Sequence, residues 1–177
     1  IAIISQAAPM AEEITGVSAA GAAGLVGIMS IANGAGRFLW ASLSDFIGRR
    51  QVFLLMFPIQ AVVFALLPMV QSVPLFTVLV CLILLCYGGG FGTMPAFVAD
   101  FFGPENVGSI YGLMLTAWGF AAVLGPLLTA GLRESTGRYN EALYAIAGIM
   151  LVSTAIPMLV GTPVSKAVSV KNSGVRT

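Results

Sequence analysis

The chain alternates long apolar runs with short polar breaks. After an apolar opening, five runs are predicted to cross a membrane: Ala19 to Leu43, Val52 to Val70, Leu75 to Ala99, Val107 to Leu132 and Ala142 to Val160. Each has roughly the 20 residues that a helix needs to span ~30 Å of hydrocarbon. Polar residues with Pro or Gly separate each pair, and the connections are short, so successive helices run antiparallel. No Asp, Glu, Lys or Arg occurs from Gln51 to Ala99; Pro68 and the Val73-Pro74 pair mark the turn between two crossings in that stretch. The predicted fold class is all-α, a multi-pass transmembrane helical bundle.

Composition agrees with the pattern. With 58% hydrophobic and 8% charged residues, the chain has too little polar surface to cover a soluble core, so the lipid bilayer is its solvent. The opening, residues 1–8, is apolar from Ile1 and is followed by Pro9 and the pair Glu12 and Glu13; it reads as the stump of a truncated helix, hence part of a longer chain. A signal peptide is the rival reading, but the stretch lacks a basic leader. A formal charge of +1 without a dense basic cluster gives no footprint for nucleic acid. Cys81 and Cys86 lie five apart in one apolar run and read as small packing residues. The absence of His removes the commonest general base and transition-metal ligand. No metal, cofactor or catalytic residue is expected, and the chain does not read as an enzyme.

Orientation follows from basic residues in short loops. One side receives Arg49, Arg50 and the Lys166, Lys171 and Arg176 of a polar tail at 162–177; the other receives Arg133 and Arg138. The first side is therefore expected to be cytoplasmic, with the C-terminus inside a plasma or bacterial inner membrane.

An internal repeat adds to this. Ala41 to Arg50 can be laid over Ala130 to Tyr139 with Ala, Leu, Gly and Arg matched and Asp45 opposite Glu134. Three spans separate the copies, so they fall on opposite faces. That arrangement marks the 3+3 inverted repeats of secondary transporters.

Arg37 is the outstanding single residue, a charge inside an uncharged, Gly-rich run of spanning length. Such a charge costs several kcal/mol in a bilayer and marks a functional site by default. Ser30, Asn33 and Arg37, at i, i+3 and i+7, form one polar stripe. The guanidinium suits a bidentate clamp on a carboxylate. Snorkelling to the interface, or pairing with Asp45, is the plain alternative. Tyr87 precedes Gly88-Gly89-Gly90-Phe91-Gly92 near midspan, with Pro95 beyond; gating and close packing are equal readings of the glycines, and the Tyr87 hydroxyl is a candidate substrate donor. Trp118 and Tyr111 share a face of the fourth span, with Trp118 placed to wall a cavity or to pack against a neighbour.

The string Gly36-Arg37 followed by Asp45-x-x-Gly48-Arg49-Arg50 resembles the cytoplasmic loop motif of the major facilitator superfamily, with Ala41 and Phe46 departing from its first Gly and first basic position. The resemblance implies the C-terminal six-helix half of a twelve-helix carrier. A missing N-terminal half would complete the cavity. Within the superfamily, Asn33 to Arg37, Tyr87 to Gly92, Tyr111-Gly112-Leu113, Thr116 to Gly119 and Gly125-Pro126 look like the oxalate/formate antiporter family. That family's oxalate carriers pair an Arg on the eighth helix with a Lys on the eleventh. Arg37 matches the first, but the run from Val107 to Leu132 has no Lys and offers Trp118 or Phe120 instead.

One fixed cation balances one carboxylate, which favours a monocarboxylate such as formate, pyruvate or lactate over a dianion such as oxalate, unless the missing half supplies a second base. Asn33 stands where similar proton-coupled carriers have an Asp, and an amide cannot take up a proton in that range. The resemblance further implies that Asp45, Gly48, Arg49, Arg50 and Asp100 form a cytoplasmic gating cluster, although Arg49 and Arg50 would also be required by topology alone. The expected function is exchange of small organic anions by alternating access, with Arg37, Asn33, Tyr87 and Trp118 at the substrate. A proton-coupled monocarboxylate symporter and an anion channel are the alternatives.

Overall fold

Ala, Leu, Gly and Val dominate runs whose backbone groups have no water to bond, so the helix is the conformation that satisfies them. The computed structural model describes residues 2–160 and is all helical there. The helices are α1 (Ala2–Thr15), α2 (Ala19–Ile47), α3 (Arg49–Leu66), α4 (Val73–Phe102), α5 (Val107–Thr136), α6 (Asn140–Ser153) and α7 (Ala155–Leu159). Short 3-10 turns at Leu67–Met69 and Pro104–Asn106 extend α3 and lead into α5. Five of these units are long and apolar enough to cross a membrane, with α6 and α7 together making the last. The predicted tail at 162–177 lies outside the described residues.

The helices outrun the hydrophobic runs. α2 continues through Asp45 to Ile47, α4 through Asp100 to Phe102, and α5 through Arg133 and Glu134 to Thr136. The opening stump predicted at residues 1–8 is corrected in the same way, since α1 runs on through Pro9, Glu12 and Glu13 to Thr15. A charge ends burial in lipid; it does not end a helix, because Glu and Arg are good helix formers and even Asp costs only about 0.7 kcal/mol at a helical position. What ends α2 and α5 is a glycine. Gly48 (φ +95°) and Gly137 (φ +76°) enter the left-handed half of backbone space, and each donates its N–H to a carbonyl four residues back, Ser44 at 3.1 Å and Arg133 at 2.7 Å. These are the two glycines matched in the repeat; each ends its helix on a positive φ, but only Gly137 (ψ 1°) is a left-handed α cap, while Gly48 (ψ 147°) turns extended.

The break between α6 and α7 has a different cause. Pro157 has no N–H to offer the Ser153 carbonyl, and its ring crowds that carbonyl.

The most intimate contact is between α2 and α4. A Cβ added at Gly36 would overlap the Leu85 carbonyl, one at Gly88 the Asn33 carbonyl, and one at Gly92 the Arg37 carbonyl, while Gly89 makes room for the Trp40 indole. Gly88, Gly89 and Gly92 of α4 therefore serve close packing, and the helix passes unbroken through them and through Pro95. Around this seam a core of Met29, Phe64, Leu67, Phe76, Val80 and Leu143 fills one end of the bundle, and Trp40, Val52, Phe53, Met56 and Cys86 fill the other. Both cysteines are free thiols, as packing residues would be. Phe38, Phe46, Leu127 and Leu128 are among many large apolar side chains left on the outside, where lipid or a neighbouring helix must cover them.

Candidate functional site

The stripe on α2 meets α4 along the glycine seam. Ser30 turns its hydroxyl back to the Val26 carbonyl at 2.9 Å. Asn33 lies against Gly88, with its Oδ1 buried and without a hydrogen-bond partner. Arg37 stands free on the outer face of the pair, its Cζ 5.7 Å from the centroid of the Phe91 ring. Because α2 runs to Ile47, Arg37 lies ten residues from the helix end, about 15 Å at 1.5 Å per residue. The apolar run ends earlier, at Leu43, about 9 Å from Arg37 at 1.5 Å per residue, so the interface stays within range of a snorkelling side chain.

Pairing with Asp45 is not what the structure contains. Asp45 Oδ1 lies 2.6 Å from Arg49 Nη1, and among the described residues no carboxylate comes within ion-pair distance of Arg37. A cation over an aromatic ring gains about 0.5–1 kcal/mol at an exposed site, well short of the cost of a charge at membrane depth.

Tyr87, Phe91 and Trp118 form one aromatic group. Trp118 Nε1 donates to the Tyr87 hydroxyl at 2.8 Å. Phe91 packs edge-on between them, 5.3 Å from Tyr87 and 5.7 Å from Trp118 by ring centroid. The Tyr87 oxygen accepts from the indole, so its own proton remains available to an anion. Behind the three rings lies a cavity of about 340 Å³ bounded by α3, α4, α5 and α6. Tyr111 also lines it, while Phe120, the other aromatic considered on α5, faces outward.

Of the four residues expected at the substrate, Arg37, Tyr87 and Trp118 thus converge, and Asn33 is turned into the helix seam. Phe91, which joins them, was not singled out in the sequence. Its only mark there was adjacency to Tyr87 and the glycine run.

The expected cytoplasmic cluster also assembles. Arg49 bonds Asp45, Asp100 (Nε to Oδ2, 3.2 Å) and the Ser44 hydroxyl, linking the α2–α3 junction to the end of α4. Arg50 leaves this cluster. It donates to the Pro157 and Met158 carbonyls at 2.7 and 3.0 Å, closing the open end of α7.

At the opposite end of the bundle is a group that sequence reasoning missed. Arg133 Nη2 lies 2.8 Å from Glu13 Oε2, Glu13 Oε1 accepts the Tyr139 backbone N–H at 3.2 Å, and the Arg133 guanidinium covers the Tyr139 ring at 4.7 Å. Burial raises the Tyr139 phenol above its ordinary range, an effect opposed by Arg133, and the protonated hydroxyl donates to Gln6 Oε1 at 2.9 Å.

Comparison with known proteins fits this architecture. The family model of the Major Facilitator Superfamily matches residues 1–176. The oxalate:formate antiporter of Oxalobacter formigenes is 30% identical over 149 residues, 81% of this chain and 35% of that protein. The uncharacterized MFS-type transporter YhjX of Escherichia coli K12 is 29% identical over 123 residues, 68% of this chain and 30% of that protein. Mouse monocarboxylate transporter 14 is 27% identical over 95 residues, 54% of this chain and 18% of that protein. The chain thus spans about a third or less of the length of these relatives. An all-helical bundle of five long apolar helices with a family match along nearly its whole length belongs to the Major Facilitator Superfamily.

Proposed function

We propose that this bundle, completed by a second half, exchanges small carboxylate anions across a cell membrane by alternating access, with Arg37 as the anion anchor. The observation that carries the reading is the Arg37 guanidinium, which has no acid partner among the described residues and lies over the Phe91 ring, itself packed on Tyr87. A desolvated carboxylate between Arg37 and Tyr87 would supply the missing countercharge and take up the free phenolic proton as a hydrogen bond. α5 contributes no cation facing Arg37, so among the described residues one carboxylate is balanced and a second is not, which favours monoanions over oxalate unless the second half supplies another cation. The names of two relatives, an oxalate:formate antiporter and a monocarboxylate transporter, support carboxylate as the cargo class.

Proton symport is the alternative. Proton uptake beside Arg37 would need a titratable group in place of Asn33, whose amide is turned into the helix seam. The end carrying Asp45, Arg49 and Asp100 is assigned to the cytoplasm, by the excess of basic residues on that side.

The test is counterflow by the full-length parent in liposomes preloaded with formate, oxalate, pyruvate or lactate. Arg37→Gln is expected to lower exchange at least ten-fold, and Arg37→Lys to restore part of it. Undiminished exchange in both variants would remove the anchor. Flux that follows voltage without saturation or counter-substrate stimulation would select a channel.

A further inference from the structure

The cavity behind the aromatic group has no task in the exchange of formate. Its volume, about 340 Å³, lies in the range of small-molecule sites. No charged side chain lines it, and its polar groups are the Tyr87 and Tyr111 hydroxyls, the Trp118 indole and the Gln60 amide, whose nitrogen is bonded to the Met56 carbonyl at 3.3 Å. The lining includes Met56, Met94, Met114 and Met150, four of the eight methionines in the chain. Methionine is flexible and polarizable, and walls rich in it adapt to apolar ligands of varied shape. Phe91 belongs to this wall and also lies beneath Arg37, so the anchor and the cavity are one ring apart.

We infer that this chamber is a tail subsite: the parent carrier takes monocarboxylates that carry an apolar group of several carbons, with the carboxylate on Arg37 and the tail passing Phe91 into the methionine-lined space. The inference rests on the anchor proposed for Arg37. Charge complementarity selects this occupant, because Arg37, without an acid partner among the described residues, stands next to a chamber that no described charged side chain lines, which matches an amphiphilic monoanion, whereas a second carboxylate would enter the chamber unpaired.

The experiment is competition against labelled pyruvate counterflow by the full-length parent in liposomes. The competing 2-oxo acids carry methyl, ethyl, propyl, isobutyl and benzyl tails. Each added methylene is expected to tighten inhibition about four-fold until the chamber is full. Met114→Trp, which fills the space from α5, is expected to cancel at least ten-fold of the gain for isobutyl and benzyl acids while leaving pyruvate within two-fold. Met150→Trp fills it from α6 and is expected to act alike, which guards against a folding defect of either variant.

A flat series in the wild type, or a filler that shifts every acid equally, overturns the inference. So does release of a co-purified phospholipid by Met114→Trp with an unchanged series, which would place a bilayer acyl chain in the chamber. Arg37→Gln in the same liposomes separates the two readings. If it abolishes exchange while the series is flat, the anchor stands and the tail subsite alone fails; if it leaves exchange intact, both fail.

Discussion

Arg49 holds Asp100 at 3.2 Å across 51 positions of sequence, tying the α2–α3 junction to the end of α4. Glu13 and Arg133 form the reciprocal link at the other end of the bundle, from the end of α1 to the end of α5. In each case an acid on the first helix of one triplet meets an Arg at the end of the second helix, or just past it, in the other triplet. The inverted repeat is thus stitched once at each face.

The two links should behave as independent surface pairs. Double-mutant cycles with Arg49→Ala and Asp100→Ala, and with Glu13→Ala and Arg133→Ala, are expected to give coupling of about 0.2–1 kcal/mol each. Effects at the two ends should add, since the ends share no partner. Unfolding of the full-length parent in detergent measures both.

Glycines of the α2–α4 seam should be intolerant of side chains, and other glycines should not. Gly36→Ala and Gly88→Ala place a Cβ onto a facing carbonyl and are expected to cost about 1–3 kcal/mol or more. Gly34→Ala and Gly112→Ala meet nothing within 4 Å and are expected to leave stability unchanged or raise it. Thermal unfolding and the yield of monodisperse protein report the difference.

Arg50 should matter for the last span. Arg50→Ala frees the Pro157 and Met158 carbonyls, and the loss is expected to be about 1.5–3 kcal/mol, as for hydrogen bonds to a charged group. Hydrogen exchange should rise in residues 153–160 before it rises in α2 or α4. Uniform change along the chain would refute a local capping role.

Tyr87 and Trp118 should be coupled in transport. Trp118→Phe removes the indole donor and Tyr87→Phe removes both its acceptor and the free phenolic proton. If the hydroxyl contacts the substrate, Tyr87→Phe is expected to weaken apparent affinity more than Trp118→Phe, and the double variant should resemble Tyr87→Phe alone. Equal, additive effects in a counterflow assay would leave Tyr87 as a packing residue.

The five crossings were legible because a bilayer needs long apolar runs, and the runs are plain in the sequence. Helix ends were not, since Asp45, Asp100 and Arg133 mark the edge of the hydrocarbon while their helices continue. The Arg49 cluster could be anticipated because its motif resembles a known family's, and the resemblance brought in Asp100 from 51 positions away. The Glu13–Arg133 pair could not, with its members 120 positions apart and lacking any motif. Phe91 was hidden for another reason: an aromatic in an apolar helix has the same sequence context whether it faces lipid, core or cavity. The glycine run left packing and gating equal until the facing helix was known, because the same lack of a side chain permits both.

Backbones in contact along Gly36, Gly88 and Gly92 leave no layer of side chains to slide or deform between α2 and α4. The two helices should therefore travel as a single beam when the protein rocks. Arg37 rides on one and Tyr87 and Phe91 on the other, so their spacing would be the same whichever side of the membrane the cavity opens to. A carrier built this way would read its cargo by one ruler at both doors, and its preference among anions would not depend on the direction of travel.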